Sequence, residues 1–202
     1  MLEVLLAKTF GIESNCYIIT SGNVAAIIDP SVSLDRFSLD KDIKISKVLL
    51  THGHFDHILS LGDYAKEDTQ VYISQADEPM LKDGALNASV LFGLENVSFN
   101  VEVNHVSDGD VIPLGDERIT VISTPGHTEG SVCYLVGDKL FTGDTLFCGN
   151  VGRCDLPGGS YIKMKSSLKK LTSLEGDYRI YPGHDELTYL SKEKKTNYYL
   201  LS

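Results

Sequence analysis

No apolar run in the sequence approaches the roughly 20 residues that a membrane span needs. The first residues, MLEVLLAKTFGIE, turn acidic at Glu3, and their apolar part is too short for a secretion signal. Basic residues are scarce: 18 Lys plus Arg stand against 28 Asp plus Glu, a formal charge of −10. That balance repels phosphate backbones and argues against nucleic acid as a partner. It leaves anionic small molecules open, because a bound cation inverts the field locally. Cys16, Cys133, Cys148 and Cys154 form no CxxC pair, so nothing asks for a disulfide framework, and reduced thiols in a cytoplasmic protein are expected. There is no low-complexity stretch and no linker, and 202 residues point to one domain spanning 1–202.

What is present alternates between short β-rich runs and helical patterns. LEVLLA (2–7), NCYIIT (15–20) and VAAIID (24–29) read as strands separated by turn signals at Gly11 and Ser21-Gly22-Asn23. A buried strand ends in KVLL within 43–50, and the pattern then changes to a helix over about 56–66. QVYIS (70–74) is a strand, and 75–94 reads as two short helices broken near Asp83-Gly84. Strands follow at 101–106, 118–124, 131–136 and 139–143, then an amphipathic helix at 160–175, a strand at 178–182 and a last helix at 186–200. The class is α/β or α+β; the early hairpins argue against an all-parallel sheet, and two packed sheets with helices outside would fit.

One arrangement repeats. An apolar strand runs straight into a tight turn carrying histidine: VLLTHGH ends at His54, VISTPGH at His127 and RIYPGH at His184, while KLFTGD does the same with Asp144. Glycine at each exit lets the backbone turn sharply and leaves the side chain at the sheet edge. Five of the six histidines (His52, His54, His57, His127, His184) sit at these exits with Asp56 and Asp144; His105 does not. Imidazole and carboxylate are the ligand types of zinc, manganese and iron. Seven such groups are too many for one tetrahedral ion and divide between two. His52 and His54 alternate in an extended turn and can grip one ion together, while Asp56 and His57, at a helix start, face a second. Asp29 is either a partner for a ligand histidine or a simple turn residue, and Thr51 and Thr128 are expected to shape the ligand loops by local hydrogen bonds.

THGHFDH, STPGHTEGS, FTGDT and YPGH resemble the motif series of the metallo-β-lactamase superfamily, and within it the small single-domain glyoxalase II-like hydrolases. The resemblance implies an α+β fold, the αββα sandwich of two packed mixed sheets with helices outside. It implies that His52, His54 and His127 bind a first metal, that Asp56, His57 and His184 bind a second, and that Asp144 bridges them. The cofactor would be two divalent ions, zinc first and iron or manganese as alternatives, and a hydroxide between them would be the nucleophile. Asp56, Asp144 and Arg153 are the candidate catalytic residues. Arg153 lies in FCGNVGRCDLPGG (147–159), which resembles the GRxD loop of this group; its guanidinium either holds a substrate carboxylate or pairs with Asp155.

The expected substrate is a small-molecule thioester or ester. A thiolate, with a parent pKa near 8.5, departs without a dedicated general acid, and none is evident in the sequence. The aspartate at 144, where several lactam-opening members carry cysteine, argues against β-lactams. Two departures from full-length glyoxalase II leave the carrier thiol open. Only one helix follows His184 in place of a glutathione-binding helical domain, and the last ligand is followed by Asp185-Glu186 rather than tyrosine. Competing expectations are a persulfide dioxygenase with a single iron, a lactonase, and a metal-dependent binding protein.

Overall fold

A computed structural model describes every residue except Met1, Lys8, Phe10 and Ser202. Its first sheet comprises β1 (Leu2–Ala7), β2 (Cys16–Ser21), β3 (Val24–Ile28), β4 (Lys44–Leu49), β5 (Gln70–Ser74) and β6 (Val103–Val106), in that spatial order. The β1–β2–β3 pairs are antiparallel and the β3–β4–β5–β6 pairs parallel. The second sheet runs from β7 (Val111–Leu114) through β8 (Glu117–Ser123), β9 (Val132–Val136), β10 (Lys139–Gly143) and β11 (Arg179–Pro182) to β12 (Thr188–Tyr189). It is antiparallel except for β10 with β11. Helices α1 (Phe55–Ile58) and α2 (Leu61–Tyr64) follow β4; α3 (Tyr161–Thr172), α4 (Leu190–Thr196) and α5 (Tyr198–Leu201) belong to the second half.

Strand periodicity sorts the apolar residues into three layers. On β2, Tyr17 and Ile19 face the second sheet, where they meet Tyr134, Phe141 and Tyr181, while Ile18 faces away, toward Ile58, Leu61 and Tyr64. The outer face of the second sheet, with Cys133, Leu140 and Ile180, is covered by Met164, Leu168 and Leu171, one stripe of α3 at helical spacing, and by Leu190. Helix, sheet, sheet, helix is therefore the order of packing, as the αββα expectation had it. Phe141 stacks on Tyr181 with centroids 4.7 Å apart and meets Tyr17 edge-on at 5.3 Å.

Several boundaries differ from the sequence expectation, each for a local reason. The helix expected over 56–66 is two single turns, because the Ser60 amide donates to the Pro30 carbonyl (2.8 Å) and leaves the helical ladder. The two helices expected over 75–94 reduce to a 3₁₀ turn at Glu78–Leu81 followed by irregular chain. There the Asn87 side chain takes over backbone duties, donating to Met80 and Val97 carbonyls and accepting from the Ser89 amide. The last helix is preceded by β12 and broken at Asn197, whose backbone is extended. Strand β7 went unanticipated because Pro113 interrupts its donor row; it sits at the sheet margin, where proline is tolerated. The strand expected from 101 begins at Val103.

Phe141→Ala is expected to cost about 3–5 kcal/mol in urea unfolding, since it empties the space between the sheets. A loss under about 1 kcal/mol would contradict that placement.

Candidate metal centre

Four strand exits deliver the site. The chain leaves β4 through Leu50 into Thr51–His57; β8 leads to His127, β10 to Asp144 and β11 to His184. The Gly183 amide donates to the Gly143 carbonyl (2.8 Å), locking the last two exits together. A Cβ at Gly183 would collide with Asp144 Oδ1 and the His57 ring, so the approach of these side chains requires glycine there. All seven candidate ligand residues converge. Three groups have ligand-type atoms within 4.8 Å of one another: His52, His54 and His127; His52, His57 and Asp144; Asp56, His57 and His184.

Hydrogen bonds behind the rings fix which nitrogen faces the centre. Asp29, whose φ of +51° puts it in the left-handed region, accepts from the Thr51 amide (2.8 Å) and from the Thr51 hydroxyl (2.7 Å). Its second oxygen also meets His57 Nδ1 at 2.8 Å. The Thr51 hydroxyl proton is thus committed to Asp29, so the Thr51 oxygen accepts from His52 Nδ1 at 3.1 Å. His127 Nδ1 donates to the Arg153 carbonyl at 2.7 Å. In all three rings Nδ1 carries a proton and Nε2 is turned inward. His54 enters the other way round, with Nδ1 2.8 Å from His127 Nε2.

His52 Nε2, His54 Nε2, His57 Nε2 and Asp144 Oδ1 are buried and have no hydrogen-bond partner. His57 Nε2 and Asp144 Oδ1 face each other at 3.2 Å, and Asp144 Oδ2 lies 3.4 Å from His127 Nε2 and 3.7 Å from His184 Nε2. His184 Nε2 is 3.1 Å from Asp56 Oδ2. Burial, then repulsion from His57, His127 and His54, holds His52 well below the ordinary histidine pKa; burial and His127 push His54 down to about 3. Burial opposes charge on Asp144 too, yet His57, His127 and His184 hold it well below the usual carboxylate range. Burial opposes charge on His57 and His184, yet Asp144, Asp29 and Asp56 raise His57 well above the ordinary histidine pKa, and Asp144 and Asp56 raise His184. A buried set of imidazole nitrogens and carboxylates this close together fits divalent cations, and each atom left unmatched would cost about 1–3 kcal/mol.

The centre floors a cavity of about 450 Å³ whose walls include Ile12, Phe55, Phe92 and Phe147. The family model of the metallo-beta-lactamase superfamily matches residues 10–184 of the chain. The chain belongs to this superfamily. Among its relatives, hydroxyacylglutathione hydrolase GloC of Haemophilus influenzae is 31% identical over all of this chain and 98% of its own. Among solved structures of the superfamily, the BLEG-1 B3 metallo-beta-lactamase has a TM-score of 0.88 at 29% identity, covering 99% of this chain and all of that one. TTHA1623 in a di-iron-bound form has a TM-score of 0.84 at 33% identity, covering 97% of this chain and all of that one. Superfamily membership makes the protein a metallohydrolase relative with a centre suited to divalent metals.

Of the other residues singled out in the sequence, Arg153 lies on the cavity wall with its guanidinium paired to Asp155 (2.6 and 2.7 Å) and its carbonyl on His127. His105 sits away from the centre, paired with Glu78. Thr128 bonds locally to Ser131 and also reaches Asp77. Asp77 escaped the sequence reading. It is buried, and accepts from the Gly53 amide (3.2 Å), the Thr128 hydroxyl (2.6 Å) and the Gly130 amide (2.8 Å), tying two ligand loops together. Burial raises its pKa, with those three donors working against the rise. A solitary aspartate in SQADEP carries no spacing signal that could have revealed this.

Asp77→Ala is expected to destabilise the protein by at least about 2 kcal/mol, because it strands two buried amides and a hydroxyl. Thermal unfolding checks this, and an unchanged transition would show that the two loops hold without it.

Proposed function

We propose that this chain is a dinuclear metal-dependent hydrolase of glyoxalase II-like type that cleaves a thioester, an S-acylglutathione or a related compound. The observation carrying the reading is the set of seven converging His and Asp side chains, five of which floor a largely apolar cavity and several of which have unmatched buried atoms. His52, His54 and His127 would hold one cation, Asp56, His57 and His184 the other, with Asp144 between them. Two such ions bring the pKa of a water near neutrality and polarise a carbonyl. The ions would be zinc, with iron or manganese as alternatives; the di-iron form of TTHA1623 gives iron particular weight.

The chain's own residues supply orientation and exclusion of water. Asp29 and the Arg153 carbonyl set the His57 and His127 rings, and Phe55, Phe92 and Phe147 keep the cavity dry around the scissile bond. Beyond the seven, the described cavity wall offers no carboxylic acid, histidine, lysine or tyrosine to protonate a leaving group. A thiolate departs without that help; an amine does not. The acidic charge keeps nucleic acid outside the proposal, and no helix among the described residues is long and apolar enough to cross a membrane. A cytoplasmic location is part of the proposal. β-Lactam hydrolysis is the second reading, favoured by the likeness to BLEG-1.

One purified sample tested on S-lactoylglutathione, a lactone and a β-lactam separates these. The thioester is expected to turn over with kcat/KM at least about tenfold higher, a difference of about 1.4 kcal/mol in transition-state binding. Preference for the β-lactam or the lactone would overturn the thioesterase reading. So would oxygen uptake with a persulfide and one iron per chain. Asp144→Ala is expected to lose at least one cation and nearly all turnover; elemental analysis finding two ions still bound would contradict the bridging role.

A further inference from the structure

The cavity carries information about the substrate's variable arm. Outside the metal-facing groups its walls are mostly apolar, with Ile12, Phe55, Phe92, Phe147, Val151 and Leu156; among the described residues Asn150 is the one neutral polar side chain and Arg153 the one charged one. The Arg153 guanidinium is paired with both oxygens of Asp155. An adjoining hollow that shares Gly11 and His184 with the cavity is lined by Glu13, Asp185 and Glu186. An anionic arm reaching into that hollow would meet carboxylates, while the apolar walls offer it no hydrogen-bond donors.

The apolar wall is also anchored to the catalytic turn. Phe92 packs against Phe55 with ring centroids 5.5 Å apart, and Phe55 directly follows His54. The Phe55 amide donates to the Asn87 carbonyl at 3.0 Å, so the segment bearing Phe92 is fastened to the turn bearing His54 and Asp56. On the opposite side the Phe147 ring meets His184 edge-on at 6.0 Å. Phe92 is 50% exposed and Ile12 49% exposed, although both line the cavity. Large apolar side chains left half in water at the mouth of a reaction cavity gain most from a ligand that covers them.

We infer that the site selects an uncharged, apolar arm, an aliphatic or aryl acyl group on a neutral thiol, held between Phe92 and Phe147, rather than an arm bearing carboxylates. The inference rests on the hydrolase reading only for the word substrate; the apolar subsite itself is a binding property. Burial of each added methylene is worth about threefold to fourfold in affinity.

The test is calorimetric titration of the protein, as purified with its metal, with non-hydrolysable thioethers: S-alkyl-N-acetylcysteamines from ethyl to hexyl, and S-hexylglutathione. Kd is expected to fall about threefold to fourfold per methylene. S-hexylglutathione is expected to bind more weakly than the neutral hexyl thioether. Phe92→Glu should remove most of the chain-length dependence, and the exposure of Phe92 allows that variant to fold. A Kd independent of chain length, or tighter binding of the glutathione thioether, would overturn the inference. The corresponding thioesters separate its failure from that of the enzyme reading. Chain-length-dependent binding without turnover of any thioester sinks the hydrolase proposal and leaves the apolar subsite standing. Faster hydrolysis of S-lactoylglutathione than of the neutral hexanoyl thioester does the reverse.

Discussion

The structure is organised around a buried cluster of imidazoles and carboxylates that calls for positive charge at its centre. Three imidazoles commit their Nδ1 protons outward, to Asp29, Thr51 and the Arg153 carbonyl, and so turn their Nε2 atoms toward one another and toward Asp144. Without cations such an interior would be costly, since His52 Nε2 and His54 Nε2 are buried without partners and burial opposes charge on His57 and Asp144. Divalent metal would remove the conflict, and the outward hydrogen bonds hold the rings in place for it. The second layer of partners is thus as much a part of the centre as the rings themselves.

The fold supplies this arrangement by ending strands from both sheets at one edge. β4 belongs to the first sheet, β8, β10 and β11 to the second, and the layer of Tyr17, Tyr134, Phe141 and Tyr181 between the sheets fixes their separation. Cross-links at the edge then set the finer distances: Gly183 to Gly143, and Asp77 to the Gly53 and Thr128–Gly130 loops. Because ligands come from stretches as far apart as His52 and His184, the centre exists only when both halves are assembled. Metal affinity and folding are therefore coupled.

Much of this was legible in the residue order. HxHxDH after a buried strand, and glycine before each later ligand, announce a convergence because glycine exits and clustered ligands are local features. Most strands of both sheets, β7 and β12 excepted, were readable as apolar runs bounded by turn signals, and α3 from its amphipathic pattern. What escaped was decided by partners distant in sequence. Ser60 is pulled out of a helix by Pro30, Asn87 replaces a helical ladder with side-chain bonds, and Asp77 finds donors some 50 residues on. Asp29 was ambiguous as a turn residue and resolves into a support for His57 only once β3 and β4 pair. Arg153 offered two roles, and the neighbour two positions along took its guanidinium.

The superfamily's chemistry is set by the floor of the cavity, while its choice of substrate is set by the walls, and here the walls are apolar and their margin acidic. The account stands or falls on the floor. Equilibrium dialysis of chelator-stripped protein against zinc, with bound metal counted per chain, addresses it most directly. Two tightly held ions per chain are predicted, with a gain in thermal stability that tracks occupancy. A protein that takes up no ion and melts at the same temperature with or without metal would show that the unmatched atoms are not a metal centre.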